Sequence, residues 1–267
     1  VQLANNPLMC GLGNSKTAFN LFEAQIIPSL LNNAESWIGI TNKQITALQD
    51  FQDTFTRKVL HLAPSTTKAL INWDVGMMPM KWRVASKKLQ FIRKISLKDN
   101  KSIVKNVLVN EVLEDINGLA TECRKIAKEI GLEDLMLNQY SKKDIKEAVK
   151  AAVKKEFLSE MQSKVKVSDR LSDDPEDNSY INNMSLTRAR VWIRIRARAI
   201  AGVKGNFRHS YVNNMACRFC ARGSDETQEH LQLCGGTSFE RRGLDVSDKR
   251  GLLDFWRRMK MKLAAVT

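Results

Sequence analysis

Apolar residues recur at spacings of three and four through most of this chain, and clusters of turn formers divide the recurrences into separate helices. Ser15 stands before Ala18, Leu21, Phe22, Ala24, Gln25 and Ile27, which predicts a capped helix with a break or fresh start at Pro28. Thr41 precedes Ile45, Leu48, Phe51, Phe55, Val59 and Leu60, a second capped helix closed by Ala63-Pro64-Ser65. A short helix from Thr66 or Thr67 takes in Leu70, Ile71 and Trp73. Gly76 and Pro79 break it, and the next carries Trp82, Val84, Ala85, Leu89, Phe91 and Ile92. These stripes read as core.

Residues 98–166 are more charged. Ile103, Val107, Leu108 and Val112 suit one helix. Ser141 caps a longer one, with Ile145, Ala148, Val149, Ala152, Val153 and Phe157 on its apolar side and a solvated ridge of Lys146, Lys150 and Lys154 opposite. The first 14 residues are rich in Asn and Gly and read as a loop. Residues 167–184, acidic and turn-rich, read as a linker. The expected fold class is therefore mostly α.

Composition narrows the class. Of the 267 residues, 43% are hydrophobic and 27% charged, with a mean hydropathy of −0.33, which is a globular balance. No apolar run approaches the roughly 18 residues that span a bilayer, and no secretory signal opens the chain, so no membrane partner is expected. The opening on Val1 points to a piece of something longer. Five cysteines are an odd number. Cys10 and Cys123 stand alone, whereas Cys217, Cys220 and Cys234 crowd together with His230 among them. That spacing predicts a metal site rather than a disulfide framework, and an intracellular, reducing setting in cytoplasm or nucleus.

The net charge is +14, and it is uneven. Residues 185–267 hold 17 Lys and Arg against 7 Asp and Glu. A polyanion, RNA or DNA, is the expected partner of this third of the chain. Within residues 185–203, Arg188, Arg190, Arg194, Arg196 and Arg198 alternate with apolar residues, so strand and helix periods compete. The helix, capped by Ser185 or Thr187, is preferred because it places Trp192 in an apolar stripe with Val191, Ile195 and Ala199, and because Gly202 and Gly205 end it. In either form one face is a row of guanidiniums, whose planar forks suit phosphate oxygens. Lys204, Arg208, Arg218 and Arg222 extend the predicted contact set. Phe207, His209 and Tyr211 are placed to stack on unpaired bases or to pack beneath the adjoining metal site.

Cys217 and Cys220 form a C-x2-C turn, a spacing that lets two thiolates grip one ion. Asp225 and Gln228 resemble a capping box for a helix that Gly235-Gly236 stops. On that helix His230 and Cys234 lie one turn apart on one face. The expected centre is a structural Zn2+ held by Cys217, Cys220, His230 and Cys234. With all four positions filled by protein, no place is left for a catalytic water.

These residues carry a resemblance. The stretch LFEAQIIPSLLNNAESW, with Pro28, Glu35 and Trp37, is similar to the region that follows the polymerase core in non-LTR (LINE-type) retrotransposon reverse transcriptases, although Asn33-Ala34 replaces the usual aromatic-Gly. Arg57, Val59 and Leu60 stand where that family ends a helix in Arg-x-x-Leu. Asp74, Gly76 and Pro79 match its acidic-x-Gly-x-x-Pro run, and a basic-apolar helix follows. Asn206-Phe207 and the Cys-x2-Cys…Glu-Thr-x-Glu-His…Cys run, with Glu226, Thr227 and Glu229, resemble its C-terminal cysteine–histidine motif.

The resemblance covers roughly residues 15–97 and 185–235 and implies a thumb-like helical region (1–97) and a charged helical connection (98–166). After the acidic linker (167–184) it implies a basic helix with zinc knuckle (185–234) and a basic tail (235–267). The aromatic-x-Asp-Asp turn that would hold polymerase metals is missing. The one Asp-Asp, Asp173-Asp174, sits in the linker, and no catalytic residue is assigned. The implied function is nucleic-acid binding by a C-terminal fragment whose polymerase palm lies upstream. The alternatives are a host zinc-finger regulator of DNA and a zinc-stabilised scaffold that docks a partner through Leu252, Phe255 and Trp256.

Overall fold

Every regular element among the described residues is a helix. The computed structural model describes residues 15–62, 66, 68–132, 139–162, 185–197, 200, 203, 216–220 and 222–265. Helix α1 (Ser15–Leu21) runs through a π turn (Phe22–Ile26) into α2 (Ile27–Leu30). Pro28 explains the change of winding. It has no N–H for the carbonyl of Ala24, and its ring crowds that turn. Asn33, in the left-handed region at φ 54°, then reverses the chain into a 3-10 turn (Ala34–Ser36).

Helix α3 (Asn42–Leu60) opens on a reciprocal cap. The Gln44 N–H donates to Thr41 Oγ1, and the Thr41 N–H donates to Gln44 Oε1 at 2.8 Å. It ends at His61, also left-handed, whose N–H returns to the carbonyls of Arg57 and Lys58. Gly76 and Pro79 separate α4 (Lys68–Val75) from α5 (Met80–Ser96), as expected. After α6 (Ile103–Leu113) and α7 (Leu119–Glu129) comes α8 (Lys142–Gln162), capped by Ser141 through a mutual exchange with Asp144. Ile145, Val149 and Phe157 are buried, and Lys146, Lys150 and Lys154 are exposed.

Two features of this half depart from expectation. Helix α7 was not expected, because its buried face is built of the small residues Ala120, Cys123 and Ala127 beside Leu119. A tertiary contact starts it. Glu111 of α6 accepts from the N–H of Ala120 at 3.0 Å, and a Cβ on Gly118 would strike that same carboxylate. Helix α6 buries Leu108 and Val112 but leaves Ile103 and Val107 exposed. It is apolar around most of its circumference and packs on one side only.

The C-terminal part contains α9 (Leu186–Arg196), α10 (Gln228–Leu233), a 3-10 turn (Gly235–Thr237), α11 (Ser238–Arg241) and α12 (Lys249–Ala264). The expected basic tail is largely this last helix. Asp248 caps it, and it buries Leu253, Phe255, Trp256, Met259 and Leu263. Phe255 and Trp256 therefore fill this chain's own core and are not displayed for a partner.

Among the described residues, three large apolar cores and one small cluster, Leu70 of α4 on Phe157 of α8, organise the packing. The first joins α1–α3 to α9 and centres on Phe22 and Phe55, stacked at 4.1 Å. Such a ring pair adds about 1 kcal/mol beyond its burial. The second joins one side of α5 to α6–α8. The third joins α9, the cysteine segment and α12. The cores cross the boundaries expected at 97 and 184: α5 belongs to two cores, and α9 bridges the first and third. The acidic linker and the loop of residues 1–14 lie outside the described residues.

Candidate metal centre

The four side chains expected to bind metal meet at one point. One ligand atom from each of Cys217, Cys220, His230 and Cys234 lies within 4.8 Å of all the others. Cys217 Sγ is 3.9 Å from Cys234 Sγ, and Cys220 Sγ is 3.4 Å from His230 Nε2. A zinc ion with bonds of about 2.3 Å to sulfur and 2.0 Å to nitrogen would set tetrahedral edges of about 3.8 Å and 3.5 Å. The cluster matches both edges. Its sulfurs are too far apart for disulfides, which need about 2.05 Å.

Local structure delivers each ligand. A single antiparallel bridge, Ala216 with Asp225, closes the loop that holds the first cysteine pair, and the Cys217 N–H donates to the Ser224 carbonyl at 2.8 Å. Within the turn, the Phe219 N–H points at Cys217 Sγ at 3.4 Å. Glu226, fully buried, holds the turn from below. It accepts from the Arg218 backbone N–H at 3.0 Å, from Nε at 2.9 Å and from Nη2 at 2.7 Å. Helix α10 then presents His230. Its cap is Thr227, whose Oγ1 accepts from the His230 N–H at 3.0 Å, not the expected Asp225. Cys234 follows as the C-cap, and Thr237 Oγ1 donates to the carbonyls of Leu231 and Cys234 that the helix end leaves open. Gly236 packs so closely that an added Cβ would lie 1.5 Å from the Phe219 carbonyl oxygen, so only glycine lets the two halves of the site close.

Burial pushes the Cys217 thiol well above the usual range. The backbone N–H of Arg222 holds Cys220 below it. A bound cation would favour the thiolate at both.

The arginines are placed less simply. Arg188 and Arg222 are exposed. Arg190 donates through Nε and Nη2 to the Val59 carbonyl at 3.0 and 2.8 Å, and Arg194 donates to the His61 carbonyl. Both thus cap the C-terminus of α3, where the helix dipole favours cations. The same two guanidiniums, after burial, hold His61 below the usual histidine value. Arg196 is buried and ion-paired to Asp74 of α4, Nε to Oδ2 at 3.0 Å. Arg218 is committed to Glu226. The expected open row of guanidiniums is thus corrected: α9 is wedged between two cores, and most of its arginines are turned inward to carbonyls and a carboxylate. Arg198, Lys204 and Arg208, with Phe207, His209 and Tyr211, lie outside the described residues.

Further supports were not foreseen. Buried Gln228 donates from Nε2 to the Ile195 carbonyl at 3.1 Å and accepts from the Ile200 N–H, tying α10 to the end of α9. Lys262 of α12 donates to the Gly236 carbonyl at 2.7 Å and sits 5.2 Å from the centre of the Phe219 ring. The spacing of Leu252, Phe255, Trp256, Met259 and Leu263 was the available sign that α12 closes over the site. On its other side Arg250, Arg257 and Lys260 are exposed and make no ion pair among the described residues. No helix among the described residues is long and apolar enough to cross a membrane.

No family model matches the chain, no curated protein is similar to it, and no solved structure matches its fold.

Proposed function

We propose that this chain is a C-terminal piece of a non-LTR retroelement reverse transcriptase in which a structural zinc ion organises a nucleic-acid-binding module. The observation that carries the reading is the Cys217–Cys220–His230–Cys234 cluster, of tetrahedral dimensions and built into the most basic third of the chain. Four protein ligands leave no coordination position for water, which favours a folding role over a catalytic one. Residues 185–267 hold ten more cations than anions. Arg188, Arg222, Arg250, Arg257 and Lys260 are the exposed members proposed to meet phosphates. The resemblance noted in the sequence supports a retroelement origin, with RNA or target DNA as the partner.

The second reading, a scaffold that docks a protein, is favoured by one observation. Leu233 and Phe239, beside the cluster, are 80% and 74% exposed. Salt dependence separates the two. Neutralising five phosphates predicts a loss of affinity of about 500-fold between roughly 50 and 200 mM salt. Fluorescence anisotropy with labelled RNA and DNA measures it, and metal analysis of the wild type and Cys220→Ser accompanies it. One zinc per wild-type chain, lost in Cys220→Ser, with a steep salt slope is the expected result. A flat slope overturns nucleic-acid binding, and equal negligible zinc in both proteins overturns the metal assignment.

A further inference from the structure

A second concentration of charge lies far along the chain from the cysteines. It sits where α5 passes the 3-10 turn Ala34–Ser36 and the first turn of α8. A pocket of about 500 Å³ opens there, lined by the cations Lys87, Arg93, Lys94 and Lys142 and by one carboxylate, Glu35. Lys87 and Lys94 fall on one face of α5 at helical spacing, with Gln90 and Phe91 between them. Lys142 comes from the first residue of α8.

Two of the cations are held in place by backbone. Arg93 donates from Nε to the Tyr140 carbonyl, which fixes the guanidinium plane and leaves its two terminal amino groups for another acceptor. Lys87 donates to the Leu31 carbonyl at 3.0 Å and lies 3.7 Å from Glu35. Lys94 and Lys142 are exposed and make no ion pair among the described residues. Asp144, whose carboxyl Ser141 holds below the usual carboxylate range, lies near Arg93 but is engaged in capping α8. Four cations around one concavity repel each other, and one carboxylate leaves most of that repulsion in place. A phosphate would offset it, a monoester dianion most and a phosphodiester monoanion less, and a guanidinium fork flanked by ammoniums is a phosphate geometry. Phe91 supplies an apolar wall, and Gln90, whose Nε2 donates to Ser86, keeps its amide oxygen as an acceptor.

We infer that this pocket is a phosphate-binding site, independent of the metal centre, that takes a phosphate ester. The ester belongs either to a free nucleotide or to one residue of a polynucleotide strand. The inference does not rest on the zinc-centred reading and survives its failure.

The test uses the full chain, prepared with zinc in the buffer, and follows its amide resonances during titration. Inorganic phosphate at about 10 mM, enough to fill a millimolar site, is expected to shift the amides of residues 87–94 and 142. A Lys94→Glu, Lys142→Glu double variant is expected to weaken binding at least about tenfold. Both side chains are solvated and make no ion pair among the described residues, so its melting temperature should match the wild type. The neutral Lys94→Gln, Lys142→Gln pair provides the same readout should charge reversal disturb folding. Addition of a metal chelator should leave the phosphate shifts in place. Competition by a short single-stranded oligonucleotide supports a strand as the ligand, and competition by a nucleoside monophosphate alone supports a free nucleotide. An absence of shifts at the pocket, or equal phosphate affinity in wild type and both variants, overturns the inference.

Discussion

Gly236 shows how one missing side chain can decide a site. Its backbone lies against the Phe219 carbonyl, between the two halves of the ligand set, and any Cβ would have to occupy the space of that oxygen. Gly236→Ala is therefore expected to push the Cys217–Cys220 turn away from α10. The cost is about 1–3 kcal/mol, as for other overpacked sites, with zinc affinity falling in parallel. Chemical denaturation and metal titration would check this, and unchanged zinc affinity would show that the turn yields freely. In the sequence Gly236 read only as a helix stop. Its second role arises from Phe219, seventeen positions earlier, and no local pattern carries that information. Thr227 was legible as part of the resembling motif. Local pattern nevertheless points to Asp225 as the cap, because Asp and Gln three apart satisfy the capping-box rule. The bridge between Ala216 and Asp225 uses that residue otherwise.

Helix α9 is the element on which expectation and structure differ most. An alternation of arginine and apolar residues reads as one wet and one dry side. The observed helix instead has core on two sides, with Leu186 and Ile193 in the first core and Ile195 in the third. Arginine tolerates this position because its long stem packs while its fork finds fixed acceptors. Those acceptors are the carbonyls at the C-terminal end of α3 and the carboxylate of Asp74. The buried Arg196–Asp74 pair makes a clear case. Removing one partner, as in Asp74→Asn or Arg196→Met, leaves a buried charge and should cost about 3–5 kcal/mol, whereas the double apolar replacement Asp74→Leu, Arg196→Met should recover most of it. A double-mutant cycle by urea denaturation tests this, and additive losses would show that the pair does not act as a unit.

In the whole molecule, the candidate metal centre is linked to the helical bundle through a short chain of contacts. Gln228 beside the ligands holds the Ile195 carbonyl, and α9 in turn holds α3 and α4 through its arginines. The core of α5–α8 shares none of these polar contacts and touches them only where Phe157 of α8 packs on Leu70 of α4 beside Ala197. It has its own ion pair, buried Lys88 with half-buried Glu122 at 2.6 Å. With zinc bound as proposed, its removal by a chelator is thus expected to raise amide hydrogen exchange in α9, α10 and the end of α3 by at least about tenfold, while α6 and α7, which lie away from these contacts, keep their protection. Uniform loss of protection would indicate one cooperative unit, and no change outside residues 217–237 would break the proposed link.

Most helix positions, the caps at Thr41 and Ser141 and the four ligands could be read from residues 15–162 and 217–234, because each depends on neighbours three or four places away. Backbone geometry alone brings such neighbours together. The partners of the arginines, the start of α7 and the closure of α12 over the site depend on residues that meet only after the helices pack. The number and type of charges predict affinity for anions. Which of those charges remain available is settled by the carbonyls and carboxylates that the fold carries to them first.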